Sequence, residues 1–273
     1  MKVLRTKSDL RKAREEVRER GASVGFVPTM GALHVGHLSL VERAKEAADV
    51  VAASVFVNPT QFDDPADLAR YPRTEAEDLE QLEAAGVDWA LLPDAAEVYP
   101  ADQPDVQVAV PALAGRLEGA HRPGHFDGVC RVVLKLFNLV QPDVAVFGAK
   151  DFQQLRIIEA MVDGLDLPIR IIRGPTVREP DGLAMSSRNR RLSAEDRVKA
   201  VALSRALLSA EGSPREVEAS VRVQLGSAGL DVEYAEVVDE RTLEPATALP
   251  ARLLAAVRVG GVRLIDNVPL VRP

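Results

Sequence analysis

Residues 23–40 read Ser23-Val24-Gly25-Phe26-Val27-Pro28-Thr29-Met30-Gly31-Ala32-Leu33-His34-Val35-Gly36-His37-Leu38-Ser39-Leu40. The first five form a short apolar run, which reads as a buried strand. From Leu38 to Ala48 apolar residues recur at helical spacing. Pro28 to His37 therefore spans the point where a strand turns into a helix. Free backbone N–H groups and the positive end of the helix dipole favour an anion there. Gly31 and Gly36 are expected to let the backbone approach that anion with no Cβ in the way. Imidazoles so placed donate hydrogen bonds to oxygens that gain charge during a reaction, and the natural anion is a triphosphate. The same residues also fit a plain turn with two surface histidines. A metal site fits less well: two ligands come from this stretch, and only Cys130, His121 and His125 remain among the histidines and cysteines to complete a set. His121 and His125 flank Arg122-Pro123-Gly124, which reads as a turn.

Outward from this stretch, strand and helix patterns alternate. Helices are expected near 8–20, 36–48, 74–85, 126–140 and 151–163, and strands near 23–27, 50–57, 88–92, 143–147 and 168–173. Val50–Val57 and Asp143–Phe147 are nearly continuous apolar runs, as strands buried on both faces require. The expected class is α/β, a parallel sheet covered by helices. Ligands of such sheets bind beyond the carboxyl ends of strands, at a topological switch point. Segments 28–37, 58–62 and 148–154 each follow a strand and should meet in one crevice. After Gly174-Pro175 the pattern becomes a tighter α+β set. It has helices at Ser193–Leu208 and Pro214–Leu225 and strands at Val232–Val238, Arg252–Val259 and Val262–Ile265. A domain boundary is expected near 175–180.

The chain has 273 residues, enough for a sizeable core and for two domains. Its 47% hydrophobic and 27% charged residues are ordinary for a soluble globular protein. A net charge of −7 argues against a dedicated nucleic-acid surface. No apolar run is long enough to span a membrane, and the first residues lack the apolar region of a signal peptide. Cys130 alone forms no intrachain disulfide, which fits a reducing cytoplasm. It lies in the apolar run Val129–Leu136 and reads as a core thiol.

Three further segments carry chemistry. Phe147-Gly148-Ala149-Lys150-Asp151-Phe152-Gln153-Gln154 places a glycine and a mobile cation where a phosphate could sit. There Asp151 either accepts from a ribose hydroxyl or caps the next helix. Asn58-Pro59-Thr60-Gln61-Phe62 offers amides that both donate and accept, suited to a substrate with hydroxyl and carboxylate groups, or simply makes a proline turn. Met185-Ser186-Ser187-Arg188-Asn189-Arg190-Arg191 offers hydroxyls and a guanidinium for phosphate on a loop that could close as a lid. It also fits a solvated basic run or a nucleic-acid contact. Glu77 and Asp78 are candidate Mg²⁺ carboxylates, or part of a solvated helix face.

His-x-x-His at the first strand end, with Met-Ser-Ser-Arg far downstream, resembles the nucleotidylyltransferase superfamily. The strings Pro28–His34, Asn58–Phe62, Arg122-Pro123-Gly124-His125-Phe126, Phe147–Gln154, Met185–Asn189 and Arg263-Leu264-Ile265-Asp266-Asn267 resemble the pantothenate synthetase (pantoate–β-alanine ligase) family, in order along nearly the whole chain. The resemblance implies a cytoplasmic homodimer. It also implies a Rossmann-like domain over 1–176 and a smaller lid domain over 177–273. The implied reaction joins (R)-pantoate to β-alanine while ATP, arriving with Mg²⁺, becomes AMP and pyrophosphate. Carried over by position, Met30, Gly31, Ala32, Leu33, His34, Val35, Gly36 and His37 line the ATP site, with His37 as the acid-type catalytic residue. Gly148, Ala149, Lys150, Asp151 and Val177 continue that site, and Met185, Ser186, Ser187 and Arg188 complete it. Gln61 and Gln154 would hold pantoate, and Gln61 would also border β-alanine. Ala149 stands where the family often has an acidic residue, and Val35 where it often has a polar one.

The residues agree with that chemistry. Attack of a carboxylate on the α-phosphorus of ATP makes an acyl adenylate and expels pyrophosphate. His34, His37, Lys150 and Arg188 are the groups to stabilise the growing charge. A nucleotidyl transfer that keeps the nucleotide on its product, a tRNA-charging relative, and a non-catalytic nucleotide-binding scaffold are the competing readings.

Overall fold

A computed structural model describes residues 1–63 and 65–271. Its first sheet has six parallel strands: β1 (Lys2–Leu4), β2 (Val24–Thr29), β3 (Val50–Val55), β4 (Trp89–Leu91), β5 (Val144–Gly148) and β6 (Arg170–Gly174). They lie in the order β1-β4-β3-β2-β5-β6, so the direction of winding reverses between β2 and β5. Strand β1 has no counterpart among the expected strands. It has only three residues, too few for a periodic pattern, and is held by parallel pairing of Lys2–Leu4 with Trp89–Leu91.

Nine helices accompany this sheet among the described residues: α1 (Lys7–Glu19), α2 (Val35–Lys45), α3 (Pro65–Arg70), α4 (Glu75–Ala84), α5 (Ala95–Val98), α6 (Pro111–Ala114), α7 (Glu118–His121), α8 (His125–Val140) and α9 (Phe152–Gly164). The longer ones have a local cause. In α1, Leu10, Ala13 and Val17 recur on one face and are buried, and Thr6 caps its start by accepting from Asp9 N at 3.1 Å. Helix α8 buries ten of its sixteen residues, Cys130 among them, and burial pushes that thiol up to about 12. Among the described residues no helix is long and apolar enough to cross a membrane.

The C-terminal segment folds as α10 (Ala194–Leu208), α11 (Pro214–Ser227) and an antiparallel sheet of β7 (Asp231–Val238), β8 (Ala251–Val259) and β9 (Val262–Leu270). β9 runs past the expected end at Ile265 as far as Leu270. Both faces of this sheet are covered, which explains the unbroken apolar run of β8. Leu253, Ala255 and Val257 face one way and share an apolar cluster with α10 and α11. Leu254 and Ala256 face the other way and join the cluster that contains α8 and α9, together with Tyr234, Val238 and Leu243.

Candidate active site

The turn from β2 into α2 is built around a carboxylate. Gly31 and Ala32 are both left-handed, at φ +79° and +49°, a conformation that strains the alanine. Asp78 of α4 is buried and accepts from the N–H of Ala32 at 3.0 Å and of Leu33 at 2.7 Å, while Thr74 Oγ1 donates to it at 3.2 Å. The Gly31 N–H goes to Thr29 Oγ1 at 3.2 Å. The amides of Gly31, Ala32 and Leu33 are therefore bonded within the protein and are not presented to an anion. A Cβ on Gly31 would lie 2.8 Å from Asp78 Oδ2, and one on Gly36 would lie 2.9 Å from His34 Nδ1. Both glycines thus make room for neighbouring side chains; Gly31 does so away from the cavity wall, whereas Gly36 also lines it. The reading of Asp78 as a Mg²⁺ carboxylate or a solvated side chain is likewise corrected, since its oxygens hold this turn. Glu77 is exposed.

His34 caps α2, its Nδ1 accepting from the Gly36 N–H at 3.1 Å. In the neutral ring the proton then sits on Nε2. The His37 ring stacks on it at 4.0 Å between centroids and 29° between planes. Burial lowers the pKa of His34, helped by the positive charges of Lys150 and Arg190. Burial, with His34 beside it, pushes His37 down to about 3. Both rings are therefore neutral at pH 7, each with a single N–H to donate. Nδ1 of His37 is buried and has no hydrogen-bond partner among the described residues.

Beyond β3, Asn58 is fully buried and saturated. Its Nδ2 donates to Gln61 Oε1 at 3.0 Å and to Gly128 O at 3.1 Å, and its Oδ1 accepts from Tyr99 OH at 2.8 Å. Asn58 therefore orients Gln61. The Gln61 Nε2 is left facing a weak acceptor, Met30 Sδ, at 3.1 Å. Arg122 and His125, to which the sequence assigned no role in holding substrate, support Gln61 from behind. His125 Nδ1 lies 2.8 Å from Gln61 O, and Arg122 Nη1 lies 3.2 Å from His125 Nε2. Because a carbonyl only accepts, Nδ1 carries the proton and Nε2 accepts from Arg122. Burial, reinforced by the Arg122 charge, pushes His125 down to about 4.

Beyond β5, Lys150 stands in a single 3-10 turn, with its Nζ 3.6 Å from Asp151 Oδ1. Asp151 makes no side-chain cap to α9. The partial burial of Asp151 in the crevice would by itself raise its carboxyl, but the charges of Lys150 and Arg188 outweigh it and hold the pKa below the ordinary value. Across the crevice, Met185 N donates to Val177 O at 2.9 Å, and Ser186 Oγ accepts from Arg188 N at 3.2 Å. Arg188 and Arg191 both reach Asp67, at 3.5 and 3.2 Å.

These pieces meet in a cavity of about 230 Å³ at the carboxyl ends of β2, β3 and β5. Met30, His34, Gly36 and His37 line it from the first segment, and Gln61 from the second. Gly148, Lys150, Asp151 and Gln154 line it from the third. Val177, Met185, Ser186, Ser187 and Arg188 close it from the C-terminal side. Gly31, Ala32, Leu33, Val35 and Ala149 are not on its wall: Val35 is 57% exposed, Ala32 and Leu33 are buried, and Ala149 packs on the core. A second cavity of about 220 Å³ shares Arg122, His125, Lys150, Asp151, Gln154 and Arg188 with the first.

A parallel sheet with polar and cationic groups gathered at its switch point defines a Rossmann-like α/β protein with a crevice of the nucleotide-binding kind. Residues 2–269 match the family model described as pantoate-beta-alanine ligase. The chain is 49% identical over 277 residues to the pantothenate synthetase of Cereibacter sphaeroides, covering 98% of this chain and 99% of that one. It is 45% identical to the crystal structure of pantothenate synthetase from Thermus thermophilus, with a TM-score of 0.92 and full coverage of both chains. It is also similar, at 35% identity and a TM-score of 0.85, to pantoate-beta-alanine ligase from Francisella tularensis complexed with beta-gamma ATP and beta-alanine, covering 98% of this chain and 97% of that one. The chain therefore belongs to the pantoate–β-alanine ligase family and is a ligase.

Proposed function

We propose that the protein joins (R)-pantoate to β-alanine through a pantoyl adenylate, releasing pyrophosphate and then AMP. The observation that carries this reading is one cavity lined by two neutral stacked imidazoles, by the cations Lys150 and Arg188, and by the amides Gln61 and Gln154. In the first step an oxygen of the pantoate carboxylate attacks the α-phosphorus of ATP, and the bond to the pyrophosphate oxygen breaks. His34, His37, Lys150 and Arg188 stabilise the negative charge that gathers on the phosphate oxygens. Gln61, aimed by Asn58, and Gln154 hold the hydroxyl and carboxylate groups of pantoate. In the second step the β-alanine amine attacks the acyl carbon, loses a proton and displaces AMP. The ATP and β-alanine bound in the Francisella relative support both nucleotide and acceptor.

Mg²⁺ belongs to the ATP, since phosphate oxygens and water are its usual ligands. Asp151, half exposed beside Lys150, is the carboxylate that could meet it, because Asp78 is committed to the turn. We further propose that 177–273 acts as a lid domain over a binding domain of 1–176, and that the protein is a cytoplasmic homodimer. Release of AMP that requires both pantoate and β-alanine tests the reaction. AMP release with pantoate but no dependence on β-alanine, or retention of the nucleotide on the product, would contradict it.

A further inference from the structure

Arg263-Leu264-Ile265-Asp266-Asn267 lies on β9, yet its polar side chains reach out of the C-terminal sheet. Asp266 and Asn267 are both buried and consecutive, so strand alternation sends them to opposite faces. Asp266 accepts from Arg178 Nη1 at 2.6 Å and Nη2 at 3.1 Å, next to Val177 on one side of the crevice. Asn267 reaches the other side. Its Nδ2 donates to Ala149 O at 2.9 Å and Lys150 O at 2.8 Å, and its Oδ1 accepts from Arg252 Nη1 at 2.6 Å. Arg252 is fixed in turn over the Phe152 ring at 4.0 Å and by Glu240.

A 3-10 turn of three residues has poor internal hydrogen bonds, and a lysine ammonium rides on a flexible stem. What can be fixed is the backbone from which that stem starts. We infer that Asn267 is a positioning residue for Lys150: its amide clamps the Ala149–Asp151 turn from β9, so the C-terminal sheet sets where the cation stands. This rests on the proposed role of Lys150 in adenylation.

The test is a double-mutant cycle read by pantoate-dependent exchange of labelled pyrophosphate into ATP. Asn267→Asp keeps the oxygen that accepts from Arg252 and removes the two donors. Its exchange kcat should fall about tenfold or more, with little change in the pantoate KM. In a Lys150→Ala background the same change should cost less than about twofold. In a Gln61→Ala background the full loss should return. Asn267→Ser, which removes the amide without adding charge, repeats the cycle. An equal fold-loss in both backgrounds, no loss at all, or failure of both variants to fold would overturn the proposal and leave Asn267 a structural residue. Absence of exchange in the unaltered protein would count against the reaction and not against Asn267. The coupling to Lys150 would then be read from ATP affinity in the same variants.

Discussion

Two stacked imidazoles that cannot easily charge line the cavity, and the proposed reaction gives them a role. In the proposed reaction His37, neutral in the folded protein, would contribute a hydrogen bond that strengthens as phosphate charge develops. His37→Ala should therefore raise the barrier by roughly 3–4 kcal/mol, lowering kcat, while weakening ATP binding much less, as measured by turnover and calorimetry on the folded variant. Unchanged kcat would remove His37 from the chemistry. His125 gives a stability prediction with a definite sign. Its folded pKa of about 4 lies below the unfolded value near 6.5, so the unfolded chain binds the proton better. The stability it contributes is complete above pH 6.5 and is lost as pH falls toward 4, by at most about 1.4 kcal/mol per unit. Urea unfolding of the protein and of His125→Asn should differ in pH slope across that window, and identical slopes would refute the assignment. Pro28–His37 was legible because it is contiguous and flanked by two clear periodicities. Asp78 was not: its partners lie 45 and 46 positions away, and a carboxylate among Glu75, Glu77 and Glu80 reads as solvated.

At the scale of elements, the β2–α2 turn and the 185–191 segment behave differently. The turn is held by Asp78 against the strain of Ala32. Asp78→Ala should cost roughly 2–4 kcal/mol of stability, since two amides lose a charged acceptor. Asp78→Asn, which keeps one acceptor oxygen, should recover part of it in the same denaturation assay. Full stability in Asp78→Ala would show the turn to be self-supporting. The 185–191 segment is held at Met185 and at Asn189, which donates to Glu179 Oε1 at 2.6 Å and Ala184 O at 3.0 Å, whereas Arg188 and Arg191 share the single Asp67 at 3.5 and 3.2 Å with both guanidinium groups partly exposed. ATP phosphates offer them better partners. Hydrogen exchange in this segment should slow with ATP and Mg²⁺, without β-alanine. Equal exchange with and without nucleotide would leave it an ordinary basic connection. The sequence showed this segment as a loop. Its short 3-10 turn, Ser187–Arg191, carries no apolar period to announce it.

For the whole molecule, the two sheets are tied together by more than apolar contact. Buried Glu118 of α7 receives both terminal nitrogens of Arg263, and Tyr234 OH at 2.7 Å. Gln153 accepts from the Glu118 N–H at 2.9 Å, linking this pair to α9 beside the crevice. The alternation of strand and helix announced the parallel sheet, and the change after Gly174-Pro175 announced the second one. That the second sheet would present both faces to apolar partners was hidden, because a fully buried strand has no alternation to show which neighbour covers each side. With the C-terminal sheet holding the Lys150 turn and the N-terminal sheet holding the histidines, the assembled crevice should activate the acid substrate before any amine arrives. The most direct measurement is exchange of labelled pyrophosphate into ATP with pantoate present and β-alanine absent. Exchange should depend on pantoate and be strongly reduced, though still measurable, in His37→Ala and Lys150→Ala. Exchange that appears only when β-alanine is added, or that does not need pantoate, would contradict it.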